Sequence, residues 1–325
     1  MRTLLSLNFC LAAAILVATV TSSAFAQAPA FVTQWGTYGT GDGQFQYPNG
    51  VATDTSGNVY VAEWVGCRIQ KFTSNGVYLS QVGSKGNGPG QFEGAMGLAF
   101  DALGDFYVAD ASSDGPLVNN RIQMFDPSGS FLLAWGPPGT WGVPPGTAPG
   151  TMASPGAVAV DAAGRVYVAD TFNSRIQVFT STGVFLAAWT GGLTYPRGVA
   201  LDGNGQLYVA DQYTGVHVFN GNGVQVRQWV AGTYPVGIAV RGDEVYVTEE
   251  GINRVEIFTT DGVPIVHWGT AGSGPGQFND PSGIAVDKNG AIYVAELMGH
   301  RVQKFALLPT GTAKSTWGRL KRLYR

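Results

Sequence analysis

The chain has 325 residues, of which 45% are hydrophobic, 13% are charged and 47 are glycine. The low charge excludes an intrinsically disordered protein, and the many glycines are typical of a fold with many tight turns. The formal net charge is −3. Without Arg2 and the basic last 12 residues, 13 basic and 22 acidic residues remain. This balance excludes nucleic acid as a partner of the folded body, because such binding needs a positive surface.

The N-terminus has the three parts of a secretion signal. Arg2 supplies a positive charge, residues 11–20 an apolar run, and residues 24–26 a small-residue cleavage site. We therefore predict a signal peptide at residues 1–26 and an exported protein, periplasmic or secreted. The alternative is a retained membrane anchor, for which the apolar run is short. The mature chain keeps one cysteine, Cys67, and we expect a partly buried, unreactive thiol rather than a functional one.

Six copies of one sequence unit follow in chain order. Runs such as GVAVD, VYVAD and RIQVF alternate β-branched or aromatic residues with a period of two, as strands do. D-x-x-G or a variant separates the first two runs, and Asp and Gly suit a tight hairpin turn. A second hairpin leads to a fourth strand that ends in Trp or Val. The copies begin at Pro48, Ala95, Pro155, Pro196, Pro235 and Pro281.

This repetition predicts an all-β fold. Units of about 40–50 residues with four antiparallel strands each are typical of a β-propeller, so we predict six four-stranded blades in one domain at residues 27–312. An additional fourth-strand copy lies at residues 31–36. The linkers GTYGTGDGQFQYP and GTAGSGPGQFNDP have equal length, so this strand should close the ring by pairing into blade six. A competing strand at residues 316–317 is expected to be an added edge strand or part of the tail.

Residues 313–325 form a basic tail beyond the predicted propeller. Trp317, Leu320 and Tyr324 recur at helical spacing among basic residues. This pattern is compatible with a short amphipathic helix that contacts an anionic surface, and the sequence does not favour this over the alternative. The alternative is a frayed, solvated chain end, because an isolated helix of this length is marginal.

The units resemble the NHL repeat family. The motifs P-x-G-[VI]-A-[VL]-D, [VL]-Y-V-A-D, R-[IV]-Q-x-F and the linker core G-x-G-x-G-Q-F carry the resemblance, which covers about residues 31–305. It implies a six-bladed propeller whose relatives bind proteins, RNA or small ligands on one face, while a few relatives are enzymes. The fold alone does not choose between these functions.

The polar residues that recur in most units are expected to be structural. The Asp that ends the first strand should bond backbone N–H groups in its turn. The acid that ends the second strand should pair with an Arg that usually lies five residues later. The expected pairs are Glu63 with Arg68, Asp170 with Arg175, Glu249 with Arg254 and Glu296 with Arg301, whereas Arg121 follows an insertion and Val216 takes the Arg position in blade four.

Residues that differ between blades are expected to carry the function. The first strand starts and the second ends at the same end of the ring, so the linkers and the second turns share one face. An insertion around Asp114 and a Pro-rich loop before Pro155 belong to it. Its Trp, Phe, Tyr and Arg residues are of the types found in binding hot spots; the alternative is a variable surface. The predicted ligand-binding residues are Asn49, Trp64, Met96, Phe172, Arg197, Tyr213, Glu250 and Met298.

We therefore predict a non-catalytic, monomeric scaffold that binds a protein, peptide or glycan without a cofactor or metal. Related peptidylglycine amidating lyases hold a metal with histidines placed directly after the repeat Pro, and none of the six positions here is His. The three histidines, His217, His267 and His300, lie in different blades and strands. The alternative is a lactonase-like, metal-dependent hydrolase or lyase in the central channel, with oxygen ligands from Asn49, Glu63 and Asp211.

Overall fold

A computed structural model of the protein describes residues 27–111, 119–136 and 147–307. These residues form six four-stranded antiparallel sheets, and the first strand of each sheet contacts that of the next around a closed ring. The predicted six-bladed propeller is confirmed. No helix within these ranges is long and apolar enough to span a membrane. The predicted signal peptide, the insertion around Asp114, residues 137–146 of the Pro-rich loop and the basic tail lie outside the described residues.

The first strand of the chain, β1 (Ala30–Trp35), belongs to the last blade. Blades one to three then follow in order. Blade one contains β2 (Pro48–Thr53), β3 (Val59–Glu63), β4 (Arg68–Phe72) and β5 (Tyr78–Val82). Blade two contains β6 (Ala95–Phe100), β7 (Phe106–Ala111), β8 (Asn120–Phe125) and β9 (Phe131–Trp135). Blade three contains β10 (Pro155–Val160), β11 (Val166–Asp170), β12 (Arg175–Phe179) and β13 (Phe185–Trp189), with a 3-10 turn at Thr171–Asn173.

Blades four to six complete the ring. Blade four contains β14 (Pro196–Leu201), β15 (Leu207–Asp211), β16 (Gly215–Phe219) and β17 (Gln225–Trp229). Blade five contains β18 (Pro235–Arg241), β19 (Glu244–Glu249), β20 (Arg254–Thr259) and β21 (Pro264–Trp268), with a 3-10 turn at Glu250–Ile252. Blade six contains β22 (Pro281–Val286), β23 (Ala291–Glu296) and β24 (Arg301–Ala306), to which β1 is added.

Strand β1 closes the ring. It pairs antiparallel with β24, with Phe31 opposite Phe305. The two rings meet edge to face at 6.0 Å, and Arg301 Nη1 donates a hydrogen bond to Gln34 Oε1 at 3.1 Å. The predicted closure by the N-terminal strand agrees with this sheet, because β1 gives blade six the same four-stranded order as the other blades. The competing strand at residues 316–317 lies outside the described residues.

The glycine of the P-x-G triplet lets the inner strands of neighbouring blades approach closely. A Cβ atom on Gly50 would lie 2.3 Å from the carbonyl oxygen of Met96, and one on Gly283 would lie 2.4 Å from that of Asn49. Real Cβ atoms do not come this close to a backbone, so only glycine fits here. The central channel is consequently narrow at the level of these glycines, where the cavity between the inner strands measures about 90 Å³.

Aromatic side chains fill the spaces between blades. The Trp189 ring that ends blade three lies 5.4 Å from Tyr167 of its own blade and 5.9 Å from Phe219 of blade four. All three side chains belong to one buried cluster that draws on both blades. Because each blade completes the core of its neighbour, the ring forms one domain rather than six.

The Asp that follows the first strand in five of the six blades has the predicted turn role. Asp54 Oδ1 accepts hydrogen bonds from the N–H groups of Ser56 and Asn58 at 2.9 and 2.8 Å. The same pair of backbone bonds recurs at Asp101, Asp161, Asp202 and Asp287. These turns lie at the end of the ring opposite the linkers, so these carboxylates serve the hairpins.

A buried acid–Arg pair joins the second and third strands in five blades. The Arg Nε atom lies 2.6–2.9 Å from a carboxylate oxygen in each. The predicted pairs are confirmed, and Asp110 pairs with Arg121 across the insertion. In four of these blades the sequence reading missed a third partner, a glutamine whose side-chain amide donates to the acid. These glutamines are Gln70, Gln123, Gln177 and Gln303.

Blade four departs from this arrangement. Gly215 stands opposite Asp211, while Val216 pairs with Ala210. The prediction that Val216 takes the Arg position was therefore wrong by one residue, because the turn in this blade is one residue shorter. Asp211 instead accepts hydrogen bonds from the backbone N–H groups of Thr194 and Tyr195 at 2.7 and 2.8 Å.

Candidate functional site

The inter-blade linkers and the second turns of the blades share one end of the ring, which we call the linker face. The backbone N–H of Trp64, just past the second strand of blade one, donates to the carbonyl oxygen of Tyr47 in the linker before that blade. Glu250 makes the same bond to Tyr234 in blade five. Each second turn therefore rests on its own linker, as the strand directions require.

The linker face contains a cleft of about 250 Å³ at the mouth of the channel, hereafter the cleft. Six of the eight predicted ligand-binding residues line it. They are Asn49, Trp64, Met96, Phe172, Arg197 and Glu250. Tyr213 stands outside this lining with 60% of its surface exposed, but its ring contacts the lining residue Tyr195. Met298 is 48% exposed and follows the lining residue Leu297.

Four aromatic rings form a continuous row on the linker face, which we call the aromatic arc. Phe172 lies 5.6 Å from Tyr195, Tyr195 lies 5.6 Å from Tyr213, and Tyr213 lies 5.9 Å from Tyr234. Phe172, Tyr213 and Tyr234 are each at least 44% exposed. Scattered single exposed rings are common on protein surfaces, whereas several large rings exposed side by side often mark an interaction surface.

The sequence reading missed Tyr195 and Tyr234. Both come directly before the Pro that starts a first strand, as Tyr47 does in blade one. The predicted site residues include those directly after that Pro but not those directly before it. The recurrence of Tyr at this position in three of six units was the available signal.

Two charged residues, Arg197 of blade four and Glu250 of blade five, line the cleft, and both charges act on Asp280 of blade six. Arg197 lies 5.9 Å from the centre of the Tyr195 ring, and its Nη1 donates to Gln212 Oε1 at 3.4 Å. Burial and then the negative charge of Glu250 raise the pKa of Asp280 to about 6, and Arg197 opposes that rise. Asp280 was also missed by the sequence reading, and it too precedes a repeat Pro.

The acids proposed as alternative metal ligands are occupied by structural bonds. Glu63 is fully buried and accepts hydrogen bonds from Arg68, Gln70 and the backbone N–H of Gln46. Asp211 accepts backbone N–H groups through both of its oxygens. Across the described ranges, no group of three or more His, Cys, Asp or Glu side chains has a geometry that could hold a metal ion.

The histidines and the cysteine have local structural contacts. His300 Nδ1 accepts the backbone N–H of Tyr47 at 3.3 Å, which ties blade six to the linker of blade one. His217 is buried, and its Nε2 lies 2.7 Å from Thr214 Oγ1. Cys67 is buried, its thiol lies 3.2 Å from the carbonyl oxygen of Glu93, and burial raises its pKa to about 11. This environment fits the predicted unreactive thiol, because the thiolate is disfavoured.

Comparison with known families supports the reading of the repeat. The family model of the NHL repeat matches this chain at residues 45–72, 152–179, 193–217 and 278–305. These segments fall in blades one, three, four and six, at the first three strands of each unit. The chain is an NHL-repeat β-propeller.

Relatives of the NHL-repeat propeller share its sequence over part of its length. Human NHL repeat-containing protein 3 is 40% identical over 82 residues, which make up 25% of this chain and 21% of that protein. The chain therefore aligns with about a fifth of this curated relative. A match of this length does not indicate that this chain shares the roles of that protein.

Solved structures of similar shape include enzymes and a protein complex. A streptogramin B lyase matches with a TM-score of 0.58 at 15% identity, over 85% of this chain and 97% of that one. The virginiamycin B lyase from Staphylococcus aureus gives 0.56 at 14% identity, over 82% and 96%. A nidogen/laminin complex gives 0.53 at 19% identity, over 68% and 79%. At these identities the likeness shows the fold alone.

Proposed function

We propose that this NHL-repeat protein is an exported, non-catalytic scaffold whose linker face binds a segment of a protein, a peptide or a glycan. The observation that carries the proposal is the cleft beside the aromatic arc. Aromatic residues and arginine dominate binding hot spots because they bury a large area at low cost in conformational entropy. Here Trp64, Phe172 and Arg197 come from three different blades and line one cleft.

The distribution of repeated and variable residues supports the same proposal. The repeated acids are occupied by buried ion pairs or turn bonds, whereas Trp64, Phe172 and Arg197 stand at positions where the residue differs from blade to blade. The structural neighbours do not distinguish a binding scaffold from an enzyme, since lyases and a nidogen/laminin complex share the fold. The export of the protein and its monomeric state are part of the proposal, and the signal-like pattern of residues 1–26 supports the export.

The proposal predicts that a Trp64→Ala/Arg197→Ala double variant loses its partner while it stays folded. Hot-spot residues of these types contribute about 2 kcal/mol or more each, which is about 30-fold in affinity for one residue, so the double variant should lose roughly 30-fold to 1,000-fold. Both side chains are only half-buried at the surface, so the melting temperature should change little. The measurement is affinity capture from cell-envelope and secreted fractions, followed by binding assays with the captured partner.

A matched control is the Leu103→Ala/Arg241→Ala variant. Leu103 lies in a hairpin turn at the opposite end of the ring and is 82% exposed, and Arg241 is the exposed last residue of β18, directly before such a turn. This variant should retain the partner. Equal capture by the wild type and both variants would contradict a ligand site on the linker face. A stoichiometric divalent ion in purified protein, together with a channel activity, would favour the metal-dependent alternative.

A further inference from the structure

The end of the ring opposite the linker face, hereafter the turn face, has an apolar channel mouth. A cavity of about 290 Å³ lies there, and it is lined only by residues of the six first strands. Thr53 is the only polar residue in this lining. The lining side chains nearest the turns are half-buried and come one from each blade, namely Thr53, Phe100, Val160, Leu201, Val240 and Val286.

The wall of this mouth also carries hydrogen-bonding groups. Each first strand is the edge of its sheet and pairs only with the second strand of its blade. Its other edge therefore has backbone N–H and C=O groups that the sheet leaves unpaired. Apolar side chains beside such groups suit a Trp or Tyr side chain, which combines a large apolar ring with one polar atom.

Mostly acidic turns surround the mouth. The turns that join the first and second strands hold eight acidic and three basic residues, counting the two strand residues that flank the turn of blade five. Lys71 Nζ lies 3.7 Å from Asp54, and Arg165 pairs with Asp161 at 2.6 Å. The acids without an ion pair to a described residue are Asp101, Asp105, Asp202, Asp243, Glu244 and Asp287. This rim attracts a basic partner.

The last described strand ends at the same face. Ala306, the final residue of β24, pairs with Ala291, which directly follows the first turn of blade six. β24 is the third strand of its blade, so at about 4.8 Å per strand it lies about 10 Å from the first strand. Trp317 comes ten residues after Leu307, and an extended chain of that length spans about 30 Å. The residues around Trp317 can therefore reach the mouth of their own molecule.

The sequence beyond the described residues carries groups that complement this mouth. Residues 313–325 contain no acidic residue. Their basic residues are Lys314, Arg319, Lys321, Arg322 and Arg325. Trp317, Leu320 and Tyr324 lie between them. Large apolar side chains suit the apolar mouth, and the positive charges suit the acidic rim.

We propose that residues 313–325 dock onto the turn face of their own propeller, with the Trp317 ring in the apolar mouth and the basic side chains beside the unpaired acids of the rim. The anionic surface that the tail contacts is then the protein itself. A docked tail occupies the channel opening at this face, so a ligand reaches the channel from the linker face. The inference is independent of the proposed function, and it requires no helix in the tail.

The test uses the full mature chain with a nitroxide spin label on a Ser315→Cys variant. Cys67 is buried, and burial raises its pKa to about 11, so the introduced thiol is the one that reacts. In methyl NMR spectra the label should cause loss of the signals of Leu201 and Val240 at the mouth, while that of Met298 on the linker face persists. The loss should be the same throughout a dilution series, because the tail and the mouth belong to one molecule.

Two charge variants of the labelled protein test the docking. Lys321→Glu/Arg322→Glu should restore the signals of the mouth, because the tail is then repelled by the rim. Asp105→Asn/Asp243→Asn should restore them in part. The side chains of Asp105 and Asp243 make no hydrogen bond or ion pair with another described residue, so this variant should fold normally.

The matched control Asp42→Asn/Glu93→Gln removes two acids of the linkers and should leave the signal loss unchanged. Intact mouth signals in the labelled wild type would overturn the inference, and binding of that protein to phosphatidylserine vesicles would then identify a lipid surface as the partner of the tail. Signal loss that disappears on dilution would contradict it as well, since the occupant would be the tail of a second copy. Unchanged loss in Lys321→Glu/Arg322→Glu would also refute it, because the acidic rim would then have no part in binding.

Discussion

An Arg301→Met variant should lose about 3–5 kcal/mol of the free energy of unfolding, as is typical when one partner of a buried ion pair is removed. Glu296 is fully buried and accepts Arg301 Nε at 2.6 Å. Arg301 also donates to Gln34 of the closing strand and to the Gln277 carbonyl oxygen of the linker. The substitution therefore leaves a buried carboxylate unpaired and loosens the closure of the ring. Urea denaturation of the wild type and the variant measures the loss.

The surface pair between Arg227 and Asp261 supplies the control for this prediction. These side chains are 37% and 74% exposed and lie 3.2 Å apart. Arg227→Met should therefore cost only about 0–1 kcal/mol, because water and salt screen exposed pairs. Adding Glu296→Gln to Arg301→Met should restore part of the lost stability, since the buried charge is then removed. If Arg301→Met and Arg227→Met cost the same, the buried pair does not hold the ring together.

A Glu256→Gln variant should be more stable than the wild type by about 1–3 kcal/mol near pH 8, since a single pKa unit corresponds to about 1.4 kcal/mol. Blade five has Glu256 where four other blades have the glutamine that donates to the buried acid. Burial and then Glu256 raise the pKa of Glu249 from 4.5 to about 7. Arg254 bonds both acids, at 2.7 Å to Glu249 and 2.8 Å to Glu256, but does not remove their repulsion.

The pH dependence gives the sign of this effect. Because the pKa of Glu249 is raised in the folded state, the folded protein holds its proton more tightly than the unfolded chain does. The contribution of this protonation of Glu249 to the free energy of unfolding is complete below about pH 4.5 and is lost as the pH rises towards 7. The gain from Glu256→Gln should therefore be largest at pH 8 and small near pH 4.5. Thermal unfolding at both pH values measures it.

The reverse substitution in blade six is the matched control. Gln303 Nε2 donates to Glu296 Oε1 at 2.7 Å, so Gln303→Glu would place a second carboxylate beside a buried one. It should destabilise the protein at pH 8 and much less near pH 4.5. If Glu256→Gln instead lowers stability at pH 8, the Arg254–Glu256 ion pair contributes more than the repulsion costs, and the interpretation of blade five is wrong.

Local chemistry made most of the fold predictable. Asp54 and its equivalents belong to turns whose hydrogen bonds stay within a few residues, so the sequence motif alone is enough to predict the turn. The acid–Arg pairs lie on adjacent strands, and counting along the unit found them wherever the turn length was constant. Counting failed at Val216 because the turn in blade four is one residue shorter, and a slip of one residue moves a side chain to the other face of the sheet.

The candidate site was predictable only in part. The directions of the strands placed Trp64, Phe172 and Arg197 on one face, and the structure brings them into one cleft. Tyr234 and Asp280 have left-handed backbone conformations, with φ of 55° and 64°. Non-glycine residues rarely adopt this conformation, and no motif in the sequence predicts it here. Tyr234 contacts the Glu250 turn within blade five, whereas the position of Asp280 relative to Glu250 depends on how blades five and six pack.

The sequence by itself determined the number of blades, their four strands and the strand that closes the ring, because each is written into a repeating pattern of local preferences. The tertiary structure alone decided which side chains from different blades meet. Glu250 and Asp280 lie 30 positions apart in the sequence, and Trp64 and Arg197 are further apart still. Their proximity follows from packing around a closed ring, which brings distant residues together at one channel mouth without leaving a local signal in the chain.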